Sequence, residues 1–332
     1  MRQLRKLRRK LKVKIMIGFI VDTEFVWGFQ ARIVGLSKTS PSFYYPPPTT
    51  FLGALAEVIA KENNIGEDLG RFIINELSKN LLAIGFRPLN CVPIKYEDLN
   101  RIITIRRVGV KDRQTGKDIG ILAPHPLYLD KSFDSPARGK TILVSLDDDA
   151  PKIRWFLIFK NREIGVQDNE LRAKIDIIFL DENIFWKIHR LGSKESRVCV
   201  TDLKVFKEVR INSGTYLITN YSFPTIAVSK SEEKIRRWEN ELYIDPFGGK
   251  LKRNSEYVPH VEDIYIKTKG KKKTEKSGIF DKYVRGFENL RVFKIPIIVS
   301  TQTTPEYIVM LKDDWKAYSV SYDNRKEVVI GI

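Results

Sequence analysis

The sequence predicts an α+β protein built around a ferredoxin-like core, the arrangement that RNA-recognition modules also use. Three observations predict it. Apolar runs with strand periodicity fall at 15–27, 81–87, 173–180 and 198–209. Apolar faces with helical periodicity fall at about 50–62 and 181–191. In chain order these give strand, helix, strand, strand, helix, strand, and the C-terminal third is mostly strand-like.

Ile15–Trp27 is the first strand, with Ile15, Ile17, Phe19, Val21 and Phe25 on one face and Asp22 and Glu24 on the other. The loop Gly28–Tyr45 leads to Pro46, Pro47 and Pro48, which lack an N–H and have a fixed φ, and so make a stiff, extended lead-in. Thr49 or Thr50 then caps a helix that places Phe51, Leu52, Leu55, Val58 and Ile59 together. It frays at Asn63-Asn64-Ile65-Gly66, and a second helix at about 67–80 gathers Leu69, Phe72, Ile73 and Leu77. Leu81–Arg87 reads as a short buried strand. From Pro88 to about Gln167 the pattern loosens into a long insertion with hairpins, whose clearest strands are Ile142–Leu146 and Trp155–Phe159.

Regular structure returns with Ala173–Leu180, a near-continuous apolar strand. Asp181 caps a helix with Ile184, Phe185, Ile188 and Leu191 inward, Gly192 ends it, and Val198–Val209 alternates imperfectly. Beyond 210, Gly214–Tyr221, Lys294–Ser300, Tyr307–Lys312, Lys316–Tyr322 and Glu327–Ile332 are strand-like. Lys267–Lys276 holds six lysines against Glu275 alone and reads as a surface loop. The predicted organisation is a basic arm at 1–14, a ferredoxin-like domain at 15–209 with its insertion at about 88–167, and a mostly β region at 210–332.

A formal net charge of +17 points to a polyanionic partner, nucleic acid before a membrane surface. Eight cations stand in the first fourteen residues, and +9 remains without them, so the inference does not depend on the arm. Three readings of that arm compete: a tail that grips phosphate, a start placed upstream of a true one at Met16, or a targeting segment. The last is disfavoured, because Ile15–Val21 is short, is closed by Asp22 and lacks a small-residue cleavage site. No later apolar run approaches a transmembrane length. Cys91 and Cys199, far apart, exclude a zinc or disulfide framework; both read as small buried hydrophobes, and cytoplasmic residence is expected. Asp147-Asp148-Asp149, just before Pro151, reads as a solvated turn in preference to a metal site. No cofactor or metal is expected.

His189-Arg190-Leu191-Gly192-Ser193-Lys194-Glu195-Ser196 is the segment with the most binding chemistry. Backbone N–H groups beside Arg190, Lys194 and two hydroxyls would suit phosphate oxygens. An ordinary glycine cap with solvated charges fits the same residues equally well.

Tyr44-Tyr45-Pro46-Pro47-Pro48-Thr49-Thr50-Phe51-Leu52-Gly53-Ala54-Leu55 resembles the proline-rich signature after the first strand in the RAMP superfamily of CRISPR-associated proteins, particularly its Cas-five family of crRNA-binding subunits. Arg190-Leu191-Gly192-Ser193-Lys194-Glu195-Ser196 is similar to that superfamily's glycine-containing RNA-contacting loop, in a form like that of archaeal type I-A members. Trp27-Gly28-Phe29-Gln30-Ala31-Arg32 is a further partial match. The resemblance covers roughly 15–60 and 171–205, is faint across the insertion and is absent from 210 onwards.

The resemblance implies a non-catalytic subunit of a Cascade ribonucleoprotein that holds the 5′ handle of crRNA and caps the backbone filament. Its partners would be crRNA, a backbone subunit of the RAMP superfamily, the large subunit and, indirectly, target DNA, with no membrane. The insertion would be a thumb. Arg106, Arg107, Lys111 and Arg113 on it would contact phosphate or the neighbouring subunit, and Arg32 and Lys38 would line the handle groove. Tyr44 and Tyr45 would stack on bases or pack beside the prolines; Arg190, Gly192, Ser193, Lys194 and Ser196 would form the RNA loop. Two alternatives stand: a type III effector subunit, and a metal-independent ribonuclease that processes precursor crRNA. Metal-free RNA cleavage favours histidine as acid and base, and the chain offers His125, His189 and His260.

Overall fold

The computed structural model describes residues 16–31, 42–64, 67–98, 102–103, 106–108, 114–115, 121–123, 133–134, 138–164, 178–212, 216–234, 237–247, 290–298, 300–301 and 303–332. From the N-terminus come β1 (Ile17–Phe25), β2 (Gly28–Phe29), helices α1 (Pro48–Glu62) and α2 (Glu67–Asn80), and β3 (Leu81–Pro88). A run of hairpin strands follows: β4 (Cys91–Asp98), β5 (Ile102–Ile103), β6 (Arg106–Val108), β7 (Ile121–Ala123), β8 (Phe133–Asp134) and β9 (Arg138–Ser145). Then come β10 (Lys152–Phe159), β11 (Glu163–Ile164), β12 (Ile178–Phe179), the short α3 (Glu182–Trp186) and β13 (Val198–Phe206). The remainder contributes β14 (Arg210–Asn212), β15 (Tyr216–Thr219), β16 (Phe223–Pro224), β17 (Val228–Glu233), β18 (Trp238–Ile244), β19 (Leu290–Pro296), β20 (Tyr307–Leu311), β21 (Lys316–Tyr322) and β22 (Arg325–Gly331).

Seven strands form the main sheet, in the order β13-β1-β10-β3-β22-β21-β14, with antiparallel neighbours throughout. This corrects the third core strand. Trp155–Phe159, expected within the insertion, lies in β10 at the heart of the sheet between β1 and β3. Of the expected strand Ala173–Leu180, only Ile178–Phe179 is strand among the described residues, and it pairs with β11 in a separate two-stranded ladder. Trp155–Phe159 is wholly apolar, whereas Ala173–Leu180 is interrupted by Lys174 and Asp176, and among the described residues only the former finds long-range partners in β1 and β3.

Each face of the sheet is covered. Phe51 of α1 packs 4.8 Å from Trp155, and Phe185 of α3 stacks at 4.3 Å on Phe19. On the other face Ile20, Ala83, Phe156, Ile158, Tyr318 and Val329 make a second cluster. That double burial explains why β3 and most of β10 read as unbroken apolar runs.

Charged side chains cross the second face in one row. Asp202, Asp22, Arg154 and Arg87 are in register on β13, β1, β10 and β3. Arg154 donates twice to Asp22, both at 2.7 Å, and Arg87 donates to Glu327 of β22 at 2.9 Å. Asp22, on the face opposite Phe19 and Val21 as the alternation predicts, is therefore buried in an ion pair. β13 carries a bulge opposite Asp22/Thr23, where Asp22 pairs with Asp202 but Thr23 with Val200. The extra residue, Thr201, is why Val198, Val200, Leu203 and Val205 do not alternate cleanly.

The helix α1 starts inside the proline run. Pro48 is its first residue, and the Thr50 N–H donates to the Pro47 carbonyl at 2.8 Å, so neither Thr49 nor Thr50 caps it. Proline is well suited there, because the first turn has no use for its missing N–H. Phe51, Leu52, Leu55, Val58 and Ile59 are all buried, as the periodicity predicts. Asp181 caps α3 as expected, accepting from the Ile184 N–H at 3.1 Å. That helix stops at Trp186, short of Gly192.

Among the described residues between 91 and 145, the antiparallel ladders β4–β9, β5–β8 and β6–β7 are nested one within the next. β2 adds to the first of them, forming β2-β9-β4. Two three-stranded sheets, β15-β20-β17 and β16-β19-β18, make up most of the rest. Asp147 accepts from Asn90 at 2.7 Å and from Ser145 at 2.9 Å, which closes the turn before β10. Cys91 is buried, but Cys199 lies exposed on the edge strand β13, against the expectation of burial. No helix among the described residues is long and apolar enough to cross a membrane.

Candidate nucleic-acid interface

Segments separated by about 160 residues in sequence meet after β1 and before β13. The 190–197 loop closes on itself: Arg190 and Arg197 form a bridge, Leu191 N–H donates to the Ser196 carbonyl at 3.0 Å, and Ser196 N–H to the Ser193 carbonyl at 2.9 Å. Leu191, fully buried, pins it to the core. The loop is then bonded to the segment after β1. Ser193 N–H donates to the Gln30 carbonyl at 2.9 Å, Gln30 N–H to Ser196 Oγ at 2.9 Å, and Trp27 Nε1 to the Glu195 carbonyl at 3.0 Å.

Gly192 makes this contact possible. Its φ is +119°, and a Cβ there would lie 2.7 Å from the Gln30 carbonyl oxygen. No side chain fits, and few residues adopt that backbone. Gly28 meets the same constraint on β2, where a Cβ would lie 2.1 Å from the Thr141 carbonyl oxygen.

The proline helix supplies the third side. Arg190 Nη2 donates to Glu57 Oε2 at 2.7 Å, and Lys61 Nζ to Glu57 Oε1 at 2.7 Å. Partial burial alone would raise the Glu57 pKa; the hydrogen bonds from Lys61 and Arg190 outweigh it and lower it from 4.5. The three stretches that carry the family resemblance therefore converge on one surface.

The predicted residues fare differently on it. Lys194 is exposed and makes no ion pair among the described residues, while Arg190 and Ser193 are half-buried. Ser196 is fully buried and its hydroxyl is used by Gln30, so its role is to hold the loop. The N–H groups of Ser193 and Ser196 are also taken, by the Gln30 and Ser193 carbonyls. Arg197, exposed three residues after Lys194, escaped the sequence reading. Its only signal there was its place at the end of the glycine loop.

Tyr45 takes the second of its two expected roles, packing in the core instead of stacking on a base. It is fully buried, 5.5 Å from Phe86 and bonded through its hydroxyl to the Cys91 carbonyl at 3.3 Å, so it has no face for a base. Tyr44 is half-buried, with Lys95 Nζ 3.5 Å from its ring centroid. Its N–H and Lys95 both donate to Glu241 of β18, at 2.7 and 3.0 Å, and Tyr243 donates to the same carboxylate at 2.6 Å. Burial pushes the Glu241 pKa up against these partners.

Arg32, Lys38, Lys111 and Arg113 lie outside the described residues, as do the 1–14 arm, the lysine loop at 267–276, His125 and His260. Arg106 and Arg107 lie on β6, paired through the backbone with Ala123 and Leu122; their side chains fall outside the description. His189 is half-buried, its Nδ1 3.3 Å from the Lys187 carbonyl.

No family model matches the chain. A solved structure described as a CRISPR protein from Archaeoglobus fulgidus is 44% identical with a TM-score of 0.58, over 95% of this chain and 98% of that one. CRISPR-associated protein Cas5 2 of Saccharolobus solfataricus is 24% identical over 220 residues, 66% of this chain and 72% of that protein. The chain belongs to the CRISPR-associated proteins, and among them it is similar to the Cas5 family. A second Cas5 relative from the same organism, the CRISPR system aCascade subunit Cas5 1, is 25% identical over 236 residues, 69% of this chain and 82% of its own length. The Cas-five resemblance of the two motifs thus holds for most of the chain.

Proposed function

We propose that this chain is the non-catalytic subunit of an archaeal type I-A Cascade that holds the 5′ handle of crRNA and caps the backbone filament in the cytoplasm. The observation that carries the reading is the bonded junction of 27–30 with 190–197, braced by Glu57 on the proline helix. It joins into one rigid surface the stretches with the most RNA-contacting chemistry. Lys194, Arg197 and Arg190 stand on that surface, on a chain of net charge +17.

The core order β13-β1-β10-β3, with α1 and α2 between the first and second strands in sequence and α3 before the last, supports a ferredoxin-like reading. On that reading the insertion is shorter than the sequence pattern indicates, about 89–151, and is the thumb. Its outer face carries Ile94, Tyr96, Ile142 and Val144, all more than a third exposed, suited to packing on a backbone subunit. Arg106, Arg107, Lys111 and Arg113 would serve phosphate or that neighbour, and Arg32 and Lys38 the handle groove. The large subunit, and through it target DNA, complete the partners.

The test is a gel shift with parallel cleavage monitoring, without metal, on RNA bearing the repeat-derived handle and on a scrambled control. The proposal expects tight, handle-dependent binding with intact RNA. Equal weak binding of both RNAs would count against it, and cleavage lost in His189→Ala would move the chain to the processing ribonucleases.

A further inference from the structure

A second surface with nucleic-acid chemistry lies among the C-terminal strands, on residues to which neither motif extends. β15 alternates, so Leu217 and Thr219 are buried while Tyr216 and Ile218 stand outward, 64% and 46% exposed. Its position is fixed on both sides. Thr219 Oγ1 donates to the Val328 carbonyl at 2.8 Å, and β20 pairs along the strand from Tyr216↔Met310 to Thr219↔Tyr307. Between β15, the 303–306 segment and the start of β22 runs an open groove of about 730 Å³. Tyr216, Ile218, Asn220, Thr304, Arg325 and Lys326 line it.

The charges there are unbalanced. Arg325 and Lys326 are exposed and make no ion pair among the described residues. Of the acids at the groove, Glu306 is paired with Lys234 at 2.9 Å, and Glu327 is buried against Arg87 at 2.9 Å. Asp323, exposed on the turn before β22, is the remaining carboxylate nearby in sequence. An exposed aromatic face beside uncompensated cations and neutral amide and hydroxyl groups is the combination that holds a single strand: bases stack, phosphates meet the cations, and sequence matters little. An apolar peptide would leave both cations without a partner.

The geometry points to this groove as a second binding site, for single-stranded nucleic acid, with Tyr216 as the stacking platform and Arg325 and Lys326 as the phosphate contacts. Because a strand lacking the handle suffices, the site is separable from the handle surface proposed above.

The experiment uses the purified full chain with short fluorescent oligouridine and oligothymidine, which distinguish an RNA source from a DNA source. Anisotropy gives affinity and its salt dependence; ultraviolet cross-linking with peptide mapping gives location. The expected result is a cross-link within the peptide holding Tyr216 for at least one oligonucleotide. Tyr216→Ala should weaken binding about tenfold, and Arg325→Ala with Lys326→Ala should lower the salt slope by roughly 0.7 per lost contact. All three positions are exposed, and circular dichroism controls for folding. An Arg190→Ala, Lys194→Ala variant should keep the cross-link. Binding within twofold in the groove variants, with no cross-link at 216–220 or 325–328, would overturn the proposal even if handle binding stands.

Discussion

Two sets of ion pairs use the same residue types and do different work. On the sheet, Asp22–Arg154 and Arg87–Glu327 are nearly dry, with side-chain exposures of 8%, 11%, 8% and 3%. At the loop, Glu57 joins Arg190 and Lys61 with exposures of 25%, 35% and 60%. Removing one partner from the first set strands a buried charge; removing one from the second returns a charge to water. Burial therefore assigns the row to architecture, tying β22 to β10 and β3, and leaves Arg190 free to exchange a carboxylate for a phosphate.

The sharpest break of this contrast is Arg154→Met. It leaves the Asp22 carboxylate buried without its double donor and should cost about 3–5 kcal/mol, read from urea unfolding. A loss below about 1 kcal/mol, the range of exposed pairs, would show that water reaches the row. Next comes Gly192→Ala, which demands a side chain at φ +119° and against the Gln30 carbonyl. Strain of about 1–3 kcal/mol is expected, together with weaker handle binding, while unfolding stays cooperative. Unchanged affinity would remove the loop from the site.

Arg190→Ala should do the reverse of Arg154→Met. Stability should move by no more than about 1 kcal/mol, while handle affinity falls and its salt slope drops by roughly 0.7. The smallest effect belongs to Glu57→Gln, and pH reveals it. The Glu57 pKa is lowered in the folded chain, so its contribution is present above the ordinary carboxylate range and fades as pH falls through the folded value. Below the ordinary value of 4.5 the wild type should therefore lose slightly more stability than the variant, measured as the shift in urea midpoint between about pH 6 and about pH 3.

The same contrast explains what the sequence made legible. Local signals carried well: the α1 face from Phe51 to Ile59, the Asp181 cap, the buried strand at 81–87 and the C-terminal strands at 307–312, 316–322 and 327–332 appear, whereas the strand expected at Lys294–Ser300 is Leu290–Pro296. Signals that depend on distant partners did not carry. Lys174 and Asp176 are the one local mark against Ala173–Leu180, and the strand order itself rests on the pairing of Trp155–Phe159 with β1 and β3. The alternation placed Asp22 on the opposite face but could not show its burial, because Arg154 and the residues of β21 and β22 that pack on that face come from far along the chain. The site was legible in its segments but not in all their roles: Gly192 is a point of contact with Gln30 and not a helix cap, and Ser196 is internal, whereas Tyr45 packs in the core as one of its two expected roles.

The most direct test of the central claim, that the junction of 27–30 with 190–197 binds the guide, is quantitative binding of handle RNA to the Arg190→Ala, Lys194→Ala variant beside the wild type. Thermal unfolding of both proteins accompanies it. The account predicts at least a tenfold loss of handle affinity, loss of preference over the scrambled RNA, and an unfolding midpoint close to that of the wild type. Full handle affinity and preference in a folded variant would contradict it.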